Sequence, residues 1–271
     1  MTIHKLTPLV LEKVWGSPHT EPWRANPEGR KIGEIWFSAP EAVPLLVKFL
    51  FTSERLSVQV HPDDTYAQAH GGVRGKTEMW HILHAEPDAM IALGLREPVS
   101  RERLRSAALI GGIVDLLEWI PVRAGDTFFI PAGTIHALGA GLTALEIQQF
   151  CDITYRLFDY QRKPERPLHL DDSLAVATLQ PFDGRRLPRT VGSGRQVLVD
   201  ECGYFHVERL EVRGSAECPA STQPVMYVAV EGEGRIARQP FRAGEAWLAP
   251  AGTAPFAIEA ASAAIVIAAP G

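Results

Sequence analysis

Apolar residues along this chain alternate with polar ones or gather in short runs between prolines and glycines. PLLVKFLF, LSVQVHP, TEMWHIL, AMIALGL, DTFFIPA, RQVLVD, PVMYVAV and AAIVIAA are runs of this kind. Their length, their β-branched and aromatic content and the turn formers around them predict strands. With 21 prolines and 23 glycines as punctuation, the chain reads as a many-stranded antiparallel protein. One segment departs from the pattern. From Ser100 to Trp119 the positions Leu104, Ala107 and Ala108, then Val114, Leu116 and Leu117, follow helical spacing broken by Gly111-Gly112, which predicts two short helices inserted between strands. Another short helix is expected in DDTYAQAH, capped by Asp63 or Asp64 and stopped by Gly71-Gly72. In YFHVERLEV the apolar phase changes between Val207 and Leu210, which predicts a bulge or bend.

The pattern also repeats. Gly125 to His136 reads GDTFFIPAGTIH and Gly244 to Pro255 reads GEAWLAPAGTAP, both Gly-x5-Pro-x-Gly with PAGT in common. Each copy reads as a turn, a strand and a second turn. Two similar hairpins in any all-β protein would give the same likeness, but the spacing equals one small barrel plus its connections and favours duplication. The expected organisation is therefore all-β, with two barrel units over residues 1–187 and 188–271, a boundary around Arg185 to Thr190, and the helical insertion near 100–119 in the first unit. The first copy ends in His136 and the second in Pro255. Proline offers no ligand, so the second unit is expected to be free of metal.

Composition narrows the function. At 271 residues the chain suits one large or two modest domains, and 46% hydrophobic with 22% charged residues is ordinary for a globular protein. The net charge is −5 and the cations are dispersed, which argues against a nucleic-acid partner. No apolar stretch has transmembrane length, and MTIHKLTPLV lacks the apolar core of a signal peptide, so no membrane partner and a cytoplasmic location are expected. Cys151, Cys202 and Cys218 are too few and wrongly spaced for a disulfide framework or a thiolate metal site, which leaves nitrogen and oxygen ligands for any metal. Monomer and homodimer are both compatible with the sequence.

In LSVQVHPDD, Leu56, Val58 and Val60 share one face of a strand, and Ser57, Gln59 and His61 share the other. Gln59 and His61 project to the same side about 7 Å apart, which suits two ligands of one ion, with the apolar face packed against an outer layer. Glu78, at the start of TEMWHIL, is expected to pair antiparallel so that it lies opposite His61, and His136 would complete the set. Two imidazoles, a carboxylate and an amide oxygen suit Zn²⁺. Taken singly, each residue has a plainer reading: His61 as a solvated or core histidine, Gln59 as an amide, Glu78 as an edge charge, His136 as a turn residue. His81 faces away from Glu78 by alternation and stays outside the set, as do His70, His84, His169 and His206. His61-Pro62-Asp63 with His136 also spells the two-His, one-carboxylate set of a non-haem iron oxygenase, although Pro62 would end the strand and turn Asp63 away. A third reading is a non-catalytic double barrel that binds or regulates without turnover.

PLLVKFLFTSERLSVQVHPDD, GKTEMWHIL, the first repeat and EIQQFCDITYRLFDYQR together resemble the type I mannose-6-phosphate isomerases in their short bacterial form, and LEKVWG and IGEIWFS look like family elements. The resemblance runs from about Leu11 to Arg162; beyond Arg185 it rests on the degenerate repeat. It implies two cupin units of jelly-roll type and one Zn²⁺ per chain on Gln59, His61, Glu78 and His136. It also implies aldose-ketose isomerisation of mannose 6-phosphate and fructose 6-phosphate through a cis-enediol(ate). Lys76 would line the active site, Arg156 would be catalytic with Asp152 nearby, and Ser57 is a candidate substrate contact. Gly75 departs from longer relatives, which carry a histidine there, and FDYQR is a looser version of the family segment. A nearby cation is expected to disfavour the ammonium form of Lys76 and make it a proton carrier. Arg156 could stabilise the enediolate or grip the phosphate; without the resemblance it reads as the partner of Asp152 in a surface salt bridge.

Overall fold

The structure is a computed structural model that describes residues 2–39, 42–182, 194–200 and 202–271, together with the backbone of 186 and 187. Among the described residues the strands form three sheets, all with antiparallel ladders. A seven-stranded sheet runs in the order 186–187, Thr127–Ile130, Glu78–Ala85, Leu142–Gln149, Leu45–Thr52, Leu9–Ser17, Ile32–Ser38. A five-stranded sheet runs Tyr155–Phe158, Val58–Val60, His136–Leu138, Met90–Leu95, Leu117–Pro121. The third holds the C-terminal strands, with the N-terminal His4–Lys5 added to it against Trp247 and Leu248. The boundary expected around Arg185 to Thr190 lies outside the described residues, apart from that short stretch of backbone.

The strand Leu45–Thr52 is buried at every position because it is covered on both sides. Val47, Phe49 and Phe51 join Ile35, Phe37 and Ile147 against Val207, Met226, Val228 and Val266 of the C-terminal sheet in one apolar core. Leu50 points the other way, toward Trp15, Trp80 and Phe128. Lys48 lies on that same inner face, since side chains two apart share a side. Strand alternation thus places a charged residue in the middle of an apolar run.

Val58 and Val60 pack on Leu104, Ala108, Ile113 and Leu116 of the helices Arg101–Ile110 and Ile113–Leu116, joined by Leu174 of a helix, Leu170–Val176, that the apolar spacing did not predict. This outer helical layer is what turns Gln59 inward. Leu56 departs from its expected face and packs with Trp15, Leu50 and Trp80. Ser100 caps the first inserted helix and Gly111, with φ 85, ends it; Leu117 already belongs to the next strand. Asp63 caps the helix Asp64–Ala69 by accepting from the Tyr66 amide. No helix among the described residues is long and apolar enough to cross a membrane.

The bulge expected in YFHVERLEV is found on one side of the strand: opposite Val207 and Glu208 the ladder with Arg195–Val199 shifts register between Val197 and Val199, whereas Phe205 to Val212 pair without a break against Pro270 to Ala263 of the last strand. Phe205 and Val207 face the core shared with the first sheet, and Leu210 and Val212 face the interior of the C-terminal sheet. The strand changes which of its two sides is covered.

The two repeated hairpins adopt the same backbone. Gly125 and Gly244 both have φ 87, and the amides of Thr134 and Thr253 donate back to Pro131 and Pro250 at 3.2 and 3.1 Å. A Cβ on Gly244 would stand 1.8 Å from the Trp23 carbonyl oxygen, whereas one on Gly252, φ 75, would meet nothing within 4 Å. Gly244→Ala should therefore cost about 3 kcal/mol or more, with Gly252→Ala costing only its dihedral strain of roughly 1 kcal/mol. Thermal unfolding of the two variants checks this; equal midpoints would contradict it.

Candidate metal centre

The site lies between the two inner faces. From the five-stranded sheet, His136 pairs directly with Gln59 across the ladder, and Gln59 pairs with Arg156 on its other side. His61 follows as the chain leaves the strand at Pro62. Glu78 does not lie opposite His61 as a ladder partner: it pairs with Ile130 and Gln148 in the seven-stranded sheet and reaches the histidines across the interior. The expected register was wrong because antiparallel pairing alone does not say which strand is the neighbour.

The ligand atoms of His61, Glu78 and His136 lie within 4.8 Å of one another, and all three residues are buried. Glu78 Oε1 is 3.3 Å from His136 Nε2, and Oε2 is 3.7 Å from His61 Nε2. Two metal bonds of about 2.1 Å at a tetrahedral angle place their ligand atoms roughly 3.4 Å apart, so these separations suit one ion. The Gln59 side-chain amide is 3.3 Å from His136 Nε2. A half-turn of that amide exchanges its nitrogen and oxygen and presents the oxygen instead.

Hydrogen bonds fix how the imidazoles are used. His61 Nδ1 donates to the Ile153 carbonyl at 3.0 Å, and His136 Nδ1 donates to the Thr134 carbonyl at 2.9 Å. Each Nε2 then carries a lone pair, and both lone pairs face the Glu78 carboxylate. His61 Nε2 and Glu78 Oε1 are buried with no hydrogen-bond partner among the described residues. Acceptor faces acceptor in a dry interior, which is costly unless a cation sits between them. Burial holds the His136 imidazole down to about 4, and burial together with Lys76 holds His61 well below its usual value. Both are neutral at pH 7, the form that binds a metal.

Behind Glu78 lies a second buried carboxylate. Lys76 Nζ stands 3.0 Å from Glu78 Oε2 and 3.7 Å from Glu146 Oε1, and Lys48 Nζ stands 3.1 Å from Glu146 Oε1. Trp80 Nε1 donates to Glu146 Oε2 at 2.9 Å. Lys48, Glu146 and Trp80 are direct cross-strand partners, one rung of the large sheet. Burial, helped by Glu146 and opposed by Lys76, raises the Glu78 carboxyl to about 7. Burial also acts upward on Glu146, but Lys76, Lys48 and the Trp80 hydrogen bond outweigh it and bring that carboxyl to about 2. For Lys76, burial acts downward and is outweighed by Glu146 and Glu78, so its ammonium is held above the ordinary lysine range. The two carboxylates set the state of Lys76 before an ion is bound, and the effect expected of a nearby cation acts in the opposite direction. Burying four charges costs several kcal/mol per ion, and apolar residues in their place would stabilise the fold as well or better, which marks the cluster as functional.

A cavity of about 300 Å³ meets this cluster at Gln59, Lys76, Lys48 and Glu146. Ser57, Asp152, Thr154, Arg156, Arg166, Lys13 and Glu34 also line it. Among the described residues no ion pair joins Asp152 to Arg156. Asp152 is exposed, and Arg156 Nη1 donates to the Pro167 carbonyl at 2.8 Å. Asp63, the carboxylate of the oxygenase pattern, is occupied as a helix cap at 2.8 Å from the Tyr66 amide. Outside the set, His81 donates or accepts at Thr127 Oγ1, 2.8 Å away. Sequence reasoning missed Lys48, Glu146 and Arg166. The signal for the first two was present, a single charge inside each of the runs PLLVKFLF and LTALEIQQF.

No protein-family model matches the chain. Over 251 residues it is 37% identical to mannose-6-phosphate isomerase ManA of Bacillus subtilis strain 168, covering 86% of this chain and 79% of that protein. The crystal structure of the mannose 6-phosphate isomerase from Bacillus subtilis superposes with a TM-score of 0.85 at 27% identity, covering 99% of both chains. A zinc-bound structure of a mannose 6-phosphate isomerase shares the fold at a TM-score of 0.76 and 15% identity over the whole of both chains.

Proposed function

This chain belongs to the mannose-6-phosphate isomerase family, and on that premise we propose that it interconverts mannose 6-phosphate and fructose 6-phosphate, with one zinc ion held by Gln59, His61, Glu78 and His136. The observation that carries the proposal is the convergence of His61 Nε2, His136 Nε2 and a buried carboxylate, with both Nδ1 protons used on backbone carbonyls. Two nitrogens and two oxygens suit zinc, and a zinc-bound neighbour shares the fold. Bound there, zinc would supply Lewis-acid polarisation of the sugar's C1 and C2 oxygens without redox chemistry.

The chain's own residues account for the rest. Moving a proton between C2 and C1 builds negative charge on the two oxygens of a cis-enediol(ate), and Lys76, on the cavity wall beside Glu78, is the cationic donor for them in this reading. Glu78, Glu146, Lys48 and Lys76 sum to zero charge, so a divalent ion leaves the site doubly positive, the right sign for an anionic substrate. Ser57 is buried on the cavity wall beside Gln59 and is a substrate contact in this reading, with Asp152 at the rim. Residues 1–187 form the catalytic cupin unit and 188–271 a second cupin unit that carries no metal. The oxygenase reading is disfavoured because its carboxylate caps a helix.

The test is a coupled assay on purified protein, stripped with chelator and then reloaded. Turnover of mannose 6-phosphate should vanish and return; no turnover with metal restored would reject the function. Metal uptake should also release protons in a particular window. A Glu78 carboxyl raised to about 7 is mostly protonated below that pH and must ionise to bind, whereas the two imidazoles are already neutral. Zinc binding should then release close to one proton at about pH 6 and almost none at about pH 8, with affinity rising through that interval. Calorimetry in buffers of different ionisation enthalpy reads the number; release that grows with pH would reverse the sign.

A further inference from the structure

The end of the cavity away from Glu78 is lined by two guanidiniums, Arg156 and Arg166, with the exposed Asp152 at its rim. Among the described residues the buried Nε of Arg156 has no acceptor, and its only side-chain hydrogen bond goes to the Pro167 carbonyl. Burial, with Arg166 close by, holds its guanidinium below the usual arginine range. Arg166 lines the same cavity. Its Nε donates to Asp159 Oδ2 at 2.7 Å and its Nη2 to Asp159 Oδ1, but that carboxylate also accepts Arg162 Nη1 at 3.0 Å. Asp159 is shared between two guanidiniums, of which Arg162 also pairs with Glu54 at 3.4 Å, and Arg166 keeps further N–H groups for an anion. Lys13, at the same wall, is instead paired with Glu34 at 3.4 Å.

Asp159 is presented by a tight turn. The Arg162 amide donates to the Asp159 carbonyl at 3.1 Å, and Tyr160 and Gln161 between them have φ 54 and 55. Two successive non-glycine residues in that region are strained, and such strain persists where the surroundings enforce it, often at ligand sites. The placement also fits the size of the sugar. His136, Gln59 and Arg156 sit in register on three neighbouring strands, and the segment at His169 runs outside the third, through its amide to the Arg156 carbonyl at 2.8 Å. The backbone of that segment lies about two inter-strand spacings, roughly 10 Å, from that of Gln59, and Arg166, three residues before His169, lines the same cavity as Gln59. An opened hexose chain has a similar reach from C2 to a phosphate on C6.

We propose that Arg166 is a specificity-determining residue that takes the 6-phosphate of the substrate, together with the free Nε of Arg156, and that the Asp159 turn positions it. The proposal rests on the isomerase reading above. It is tested by steady-state kinetics of the wild type, Arg166→Gln and Arg166→Lys on mannose 6-phosphate and on mannose, with inorganic phosphate as competitor. In Arg166→Gln the KM for mannose 6-phosphate should rise by about twentyfold, far more than kcat falls, and the preference for the phosphorylated sugar should drop by a similar factor. Inorganic phosphate should bind about tenfold more weakly, and Arg166→Lys should recover part of each loss. An unchanged KM, or equal losses on both sugars, would overturn the proposal and leave Arg166 a support for its loop. Calorimetric titration of inorganic phosphate into wild type and Arg166→Gln separates the two readings. Should the wild type turn over neither sugar, the isomerase reading fails, yet weaker phosphate binding by the variant still upholds the anion site and equal binding overturns it.

Discussion

Glu78→Gln should leave the protein with less than about a tenth of an ion per chain at micromolar zinc and turnover reduced by roughly a thousandfold or more. The substitution preserves shape, so the expected loss is electrostatic. In the wild type two carboxylates and two ammonium groups balance, and a divalent ion enters a neutral cluster. With an amide at this position the cluster carries one net positive charge before the ion arrives, and the only anionic ligand is gone. The imidazoles remain oriented, because their Nδ1 bonds go to backbone carbonyls and not to Glu78. Elemental analysis beside the assay checks the prediction. Full metal content with full turnover would remove Glu78 from the ligand set, and thermal unfolding of the metal-free proteins shows whether the variant has merely lost its fold.

Lys76→Met should behave in the opposite way toward metal. Removing the ammonium leaves Glu78 and Glu146 facing each other with only Lys48 to offset them, so the cluster gains a net negative charge and zinc should be held as tightly as in the wild type or more so. Turnover should fall nonetheless, by roughly a hundredfold to ten-thousandfold, because the charged donor that faces the developing oxyanion is absent. Loss of metal would make Lys76 a support for the ligand set. Retention of both metal and kcat would show that Lys76 does not act on the substrate. The two variants separate binding from chemistry at positions only two residues apart.

Much of this was legible along the chain. Alternation and turn formers gave the strands, helical spacing gave the insertion at 100–119, and the shared PAGT gave two hairpins whose backbones coincide. The ligand types were legible too, since two histidines, a carboxylate and an amide near strand ends form a recognisable set. What escaped depended on packing between distant segments. Glu78 sits in the sheet facing His61, and no local pattern says which of two sheets a strand joins. The state of Lys76 is set by Glu146, seventy residues on, which the fold alone brings within 3.7 Å. Lys48 and Glu146 went unremarked because each is a single charge in an apolar run, and a run buried on both faces does not show which of its side chains face inward. The Val207 to Leu210 phase change has two sources: the strand is covered on one face and then on the other, and the neighbouring strand Arg195–Val199 carries an irregularity opposite Val207 and Glu208.

The central claim is that one ion, held by Gln59, His61, Glu78 and His136, is required for isomerisation. It is tested most directly by titrating metal-free protein with zinc while following conversion of mannose 6-phosphate. Turnover should rise in proportion to added zinc and break at one ion per chain, and Glu78→Gln should show no break at the same concentrations. Turnover by protein verified to be metal-free, or a reloaded protein that binds zinc at this site and converts no substrate, would contradict it.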